Sequence, residues 1–97
     1  MKYILKIVAK ARLELLEAKT WYEAQQLGSG DRFINEFFNK AEFVQNNPQH
    51  YPLKNEFREA RIHDFPFLII YRMAKKGNII YVTSVFHTSR HPKRKLK

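Results

Sequence analysis

Four histidines and most of the cations that could touch an anion crowd the second half of this chain. They are His50, His63, His87 and His91, with Arg61, Arg72, Arg90, Lys93, Arg94 and Lys95 prominent among the cations. Imidazole exchanges protons near neutral pH, and guanidinium holds phosphate or carboxylate through paired N–H donors. The set could therefore transfer a proton beside a bound anion, or simply bind the anion. Metal chemistry is not expected: the histidines show no ligand spacing and there is no cysteine. Plainer roles compete. A histidine that closes a strand, as His87 would, is as often a hydrogen-bonded structural group. Arg61, between Ala60 and Ile62, is expected to pair with a helix carboxylate such as Glu14 or Glu17.

The charge balance points the same way. Eighteen Lys and Arg against nine Asp and Glu give a formal charge of +9, and five of those cations fall in the last eight residues. Such a surface attracts nucleic acid, acidic proteins or anionic lipid. Ninety-seven residues suit one small domain, here 1–97 with 90–97 as a basic C-terminal tail. The apolar and aromatic fractions, 44% and 14%, are those of a folded chain rather than a disordered one. The absence of cysteine fits a reducing cytoplasm, the expected location, and no apolar run is long enough to span a bilayer.

The elements that must position these side chains follow from periodicity. Lys2 to Val8 alternate as a strand. From Ala9 to Leu27 the period becomes helical and carries two apolar stripes. Ala9, Leu13, Leu16, Thr20, Ala24 and Leu27 form one; Ala11, Leu15, Ala18 and Tyr22 form another on nearly the opposite side. Such a helix packs on two neighbours: sheet and second helix, or one of these plus a partner protein. Trp21, between the stripes, is expected to be a packing residue. Gly28 ends this helix and Ser29 or Asp31 is expected to cap the next. The second helix runs to about Gln45, with Phe33, Ile34, Phe37, Phe38, Ala41 and Val44 on its apolar face. Phe43 lies off that face and is expected to cover the Asn46–Pro52 loop.

Strands are predicted near Phe57 to Ile62, Phe65 to Met73 and Asn78 to His87, the last two joined by a hairpin turn at Lys76-Gly77-Asn78. A two-residue turn would put Phe67, Ile69, Tyr71 and Met73 on one face with Ile80, Val82 and Phe86. Leu68, Ile70 and Arg72 would then share the other with Tyr81, Thr83, Val85 and His87. The fold class is α+β in the order β-α-α-β-β-β. An antiparallel helical hairpin packs on one face of a largely antiparallel sheet, with the neighbour of the first strand left open.

Several segments, in this order and spacing, carry a family resemblance. They are Ala11-Arg12-Leu13-Glu14-Leu15, Trp21-Tyr22-Glu23, Gly28 to Phe33, Asn47-Pro48 with Tyr51-Pro52, Arg61, and Phe65-Pro66-Phe67 with Ile69-Ile70-Tyr71. Val85-Phe86-His87 with Arg90 and Pro92 completes the set. Over almost its whole length the chain resembles the RelE/ParE superfamily of type II toxin–antitoxin toxins. The resemblance implies a growth-inhibiting toxin neutralised by a cognate antitoxin, which commonly supplies an acidic or amphipathic C-terminal segment that folds on binding. Leu15, Ala18 and Tyr22 are the expected antitoxin contacts. No cofactor or metal is expected.

The superfamily divides into ribosome-dependent messenger-RNA endoribonucleases and poisons of DNA gyrase. Cutting RNA by its own 2′-hydroxyl requires a base for that hydroxyl, cations for the developing phosphate charge, and an acid for the leaving oxygen. His63, Arg72, His87 and Arg90 are the candidates. Arg61, Arg90, Lys93, Arg94 and Lys95 are candidate target or phosphate contacts under either reading. Matched through Tyr71, however, ribonuclease members usually carry a phosphate-contacting Arg where this chain has Leu68, which can donate nothing. The Phe65-Pro66-Phe67 entry and the Val85-to-Pro92 ending also look more like the ParE side. The expectation is therefore a gyrase-directed toxin that is not an enzyme. The alternatives are a RelE-like endoribonuclease and, last, a non-toxic basic nucleic-acid-binding module.

Overall fold

The computed structural model describes residues 2–89. Six elements follow in the predicted order: β1 (Ile4–Ile7), α1 (Ala9–Gln25), α2 (Ser29–Asn46), β2 (Arg58–Arg61), β3 (Phe67–Met73) and β4 (Ile79–His87). The sheet order is β1-β4-β3-β2. β2, β3 and β4 are antiparallel neighbours, while β1 pairs parallel with β4, Ile4 opposite Ile79 and Ile7 opposite Val82. That parallel pair is the one the periodicity left open, and it makes the sheet mixed.

The helical hairpin covers one sheet face. Ala11, Leu15 and Ala18 of α1 and Phe33, Phe37, Ala41 and Val44 of α2 are buried against Ala60, Phe67, Ile69, Tyr71, Ile80, Val82 and Val85. At the end of the sheet where β3 begins, Tyr22, Phe33, Phe65 and Phe67 meet with ring centroids 4.9–6.2 Å apart, mostly edge to face. Such pairs add about 0.5–1.5 kcal/mol each beyond burial. Tyr71, fully buried in the core, donates to the Pro48 carbonyl at 2.9 Å and ties the Asn46–Pro52 loop to the sheet. Burial pushes its phenol up to about 12, against a smaller opposing pull from Arg58. Phe43 covers the same loop as expected, edge-on to His50 and Tyr51.

Local chemistry accounts for the boundaries that moved. α1 stops at Gln25 and leaves Leu27 exposed. Gly28, at φ 90, turns the chain into α2. Neither Ser29 nor Asp31 caps that helix through its side chain. Instead the Glu23 carboxylate of α1 accepts from the Gly28 and Gly30 amides, both at 3.0 Å, and these bonds hold its pKa below the ordinary value. β3 begins at Phe67 rather than Phe65, because Asp64 at φ 67 and Pro66, which has no N–H, make a tight corner there. Phe38, assigned to the apolar face of α2, is half exposed instead.

The largest departure is a bulge. Ile70 pairs with Ser84 and Tyr71 with Val82, so Thr83 is an extra residue on β4. The hairpin loop spans four residues, since Ala74 N–H bonds to Ile79 C=O, and its even length preserves the expected faces up to Val82. Ser84 still turns to α1, and from Val85 on the side chains change sides. Val85 enters the core and His87 pairs with Phe67 on the helix side. Phe86 moves to the far face beside Leu68.

Candidate functional site

Glu14 of α1 is built into that bulge. Its Oε1 accepts from the Val85 N–H at 2.9 Å and from Ser84 Oγ at 3.0 Å, while Oε2 faces Lys10 Nζ at 3.1 Å. β1 ends opposite Val82, so the outer edge of β4 beyond it has no neighbouring strand, and here a helix carboxylate satisfies one of its N–H groups. Glu14 is thus committed to β4 and is not a partner for Arg61. Arg61 pairs with Leu68, which puts it on the sheet face turned away from the helices, and it is exposed. The expected ion pair with Glu14 or Glu17 is therefore absent: the sheet stands between them.

The bulge also separates the residues expected to transfer protons. His87 packs edge-on against Phe67, with ring centroids 4.9 Å apart, and its Nδ1 accepts from the Ser89 N–H at 3.1 Å. Arg72 pairs with Tyr81 on the opposite face, its guanidinium 4.8 Å from that ring's centroid. The registers of His87 and Arg72 are divided along β3 by about 17 Å at strand rise. His63 sits in the β2–β3 connection with Nε2 3.4 Å from Asp64 Oδ1, and Asp64 also meets Arg32 at 3.5 Å. His87 and Arg72 do not converge on one phosphate. Arg90, Lys93, Arg94 and Lys95 lie outside the described residues. Among those that are described, no cluster of His, Asp and Glu could hold a metal ion, and no helix is long and apolar enough to cross a membrane.

A family model for the ParE toxin of type II toxin-antitoxin systems, parDE, matches residues 5–92. This chain belongs to the ParE toxin family. A solved structure described as the chromosomal ParDE TA system from P. aeruginosa superposes with a TM-score of 0.75 at 16% sequence identity. The match covers 89% of this chain and 96% of that one, and at that identity it shows the fold. No curated protein matches the sequence significantly.

Within this ParE-family fold the two stripes of α1 have opposite fates. Leu15, Ala18 and Tyr22, expected to meet an antitoxin, are turned into the molecule: Leu15 and Ala18 are buried, and Tyr22 packs among Phe33, Phe65 and Phe67. The other stripe looks outward, with Leu13 60% and Leu16 58% exposed. Trp21, expected to pack, is half exposed and only edge-on to Tyr22. Both stripes are legible in the sequence. Composition does not say which one faces in, since each holds two alanines, Ala9 and Ala24 in the outer stripe and Ala11 and Ala18 in the inner. Lys6 and Tyr81 of the far face carried no comparable signal, since their alignment with Arg72 depends on a parallel pairing that periodicity does not reveal.

Proposed function

We propose that this ParE-family toxin arrests growth by acting on DNA gyrase, and that its antitoxin neutralises it by seating an apolar segment on the Leu13–Leu16 stripe of α1. The observation that carries the target is the separation of His87 from Arg72. General acid–base cleavage needs its donors and acceptors within hydrogen-bond reach of one phosphate. Here the two lie on opposite sides of a sheet, and Leu68 stands where ribonuclease relatives usually carry a cation. Action by contact with a protein target requires no such convergence.

Support for the antitoxin surface comes from exposure. Two leucines on successive turns of one helix face, each more than half open to solvent, form an unpartnered apolar strip of the kind an amphipathic segment covers.

The test is induction of the chain in cells, alone and with its antitoxin. Growth should stop in the first case and continue in the second. Arrested cells should show double-strand breaks and a DNA-damage response with intact transcripts, and His87→Gln should remain toxic. Cleaved messenger RNA with undamaged DNA, abolished by His87→Gln, would overturn the gyrase reading in favour of ribonuclease activity.

A further inference from the structure

Charge is divided unequally between the two layers. Residues 9–46, the helices and their corner, hold five cations and six carboxylates; the rest of the chain holds thirteen cations and three carboxylates. The excess positive charge therefore belongs to the sheet side and the C-terminal segment, while the helical layer is nearly neutral.

On the far sheet face the cations are aligned. Lys6 of β1 pairs with Tyr81 of β4, and Tyr81 pairs with Arg72 of β3, so the three side chains form one row across three strands. Strand spacing sets Lys6 and Arg72 about 10 Å apart, with the Tyr81 ring between them and the Arg72 guanidinium stacked on it. Against the three cations Lys6, Arg61 and Arg72, register puts one carboxylate on this face, Glu59, which also bonds Lys54 at 3.4 Å. Arg61 continues the positive surface towards the end of β4, and two further exposed cations, Lys75 and Lys76, sit in the β3–β4 loop at the other end. From Met73 to Phe67 the track runs about 20 Å, the axial length of roughly six base pairs of duplex.

We propose that this face, led by the Lys6–Tyr81–Arg72 row with Arg61, binds the phosphodiester backbone of duplex DNA without reading its sequence. Cations that outnumber the carboxylate beside them repel one another, and a polyanion laid along the track removes that repulsion and releases counterions. Stacking of bases from a single strand is disfavoured, because one face of the Tyr81 ring is already taken by Arg72. The choice of duplex DNA over other polyanions rests on the gyrase reading, in which the toxin works where protein and DNA meet.

Fluorescence anisotropy with the full-length toxin and a labelled 30-base-pair duplex, without gyrase, tests the inference. Lys6→Ala/Arg61→Ala/Arg72→Gln should weaken binding roughly tenfold or more at low salt and lower the log–log salt slope by about 2.7, close to 0.9 for each phosphate-neutralising cation removed. Arg12→Ala/Lys19→Ala on the helical layer should change neither. If the triple variant is unstable by thermal melting, Lys6→Ala/Arg61→Ala, both exposed, should still lower the slope by about 1.8. Unchanged affinity and slope would overturn the proposal by assigning the binding to the C-terminal cations alone. Tighter binding of poly-glutamate or single-stranded RNA of equal charge would overturn it by naming another occupant. Failure here leaves the gyrase reading intact if cells still suffer DNA breaks. Conversely, duplex binding without DNA damage in cells would remove the gyrase reading and keep the surface.

Discussion

Replacing Leu13 and Leu16 together by serine separates a surface made for a partner from one made for the core. Full burial of a leucine is worth about 1.5–3 kcal/mol. With Leu13 60% and Leu16 58% exposed in the free toxin, roughly that share remains to be gained when a partner covers them. The pair should then contribute about 2–3 kcal/mol to antitoxin binding, on the order of 30- to 150-fold in Kd. Folding stability should hardly change, because the toxin itself leaves these side chains in water. Leu15→Ala is the converse perturbation. Leu15 is 8% exposed, so truncation should cost about 2–5 kcal/mol and lower Tm by roughly 10 °C or more. Calorimetric titration with the antitoxin and thermal melting of each variant read the two quantities separately. A Leu13→Ser/Leu16→Ser toxin that binds antitoxin as tightly as the wild type would refute the docking surface. One that melts as early as Leu15→Ala would refute the assignment of inner and outer stripes.

Further outcomes follow from the scaffold. Glu14→Ala should cost about 1–3 kcal/mol in urea denaturation, because the Val85 N–H on the outer edge of β4 loses its acceptor; a change within error would mean that water satisfies this group. Tyr71→Phe should cost about 1–2 kcal/mol by stranding the Pro48 carbonyl. In the wild type the fold favours the neutral phenol, so the stability Tyr71 supplies is complete below about pH 10 and is lost as pH rises towards 12; the variant should lose less over that window. Gly30→Ala should destabilise by about 1–3 kcal/mol in melting experiments, since a Cβ there would stand 2.7 Å from the Lys19 carbonyl oxygen and press the two helices apart. At the helix corner the acid side works in the opposite sense: two backbone amides favour the Glu23 carboxylate, so its cap is in place at neutral pH and weakens as pH falls through the lowered Glu23 pKa. The Tm of wild type above that of Glu23→Gln should therefore shrink on acidification, and a difference constant with pH would show that the cap carries no pH dependence.

Local chemistry is written plainly in this chain. The change from strand to helical period after Val8 dictated strand then helix, Gly28 dictated the corner, and Pro48 with Pro52 dictated the loop that Phe43 covers. The β-α-α-β-β-β order, the family resemblance and the two opposed stripes of α1 are all readable there, because each depends on neighbours within a turn or two. Other properties were decided only in three dimensions. Leu15 turns inward and Leu16 outward because the sheet lies on one side of α1 and water on the other. The parallel pairing of β1 with β4 aligns Lys6 with Arg72 although most of the chain separates them. Thr83, one unpaired residue, moves His87 and Val85 to the helix side and Phe86 to the other, since a strand's side chains alternate with a period of two and a single insertion inverts the alternation, here from Val85 on.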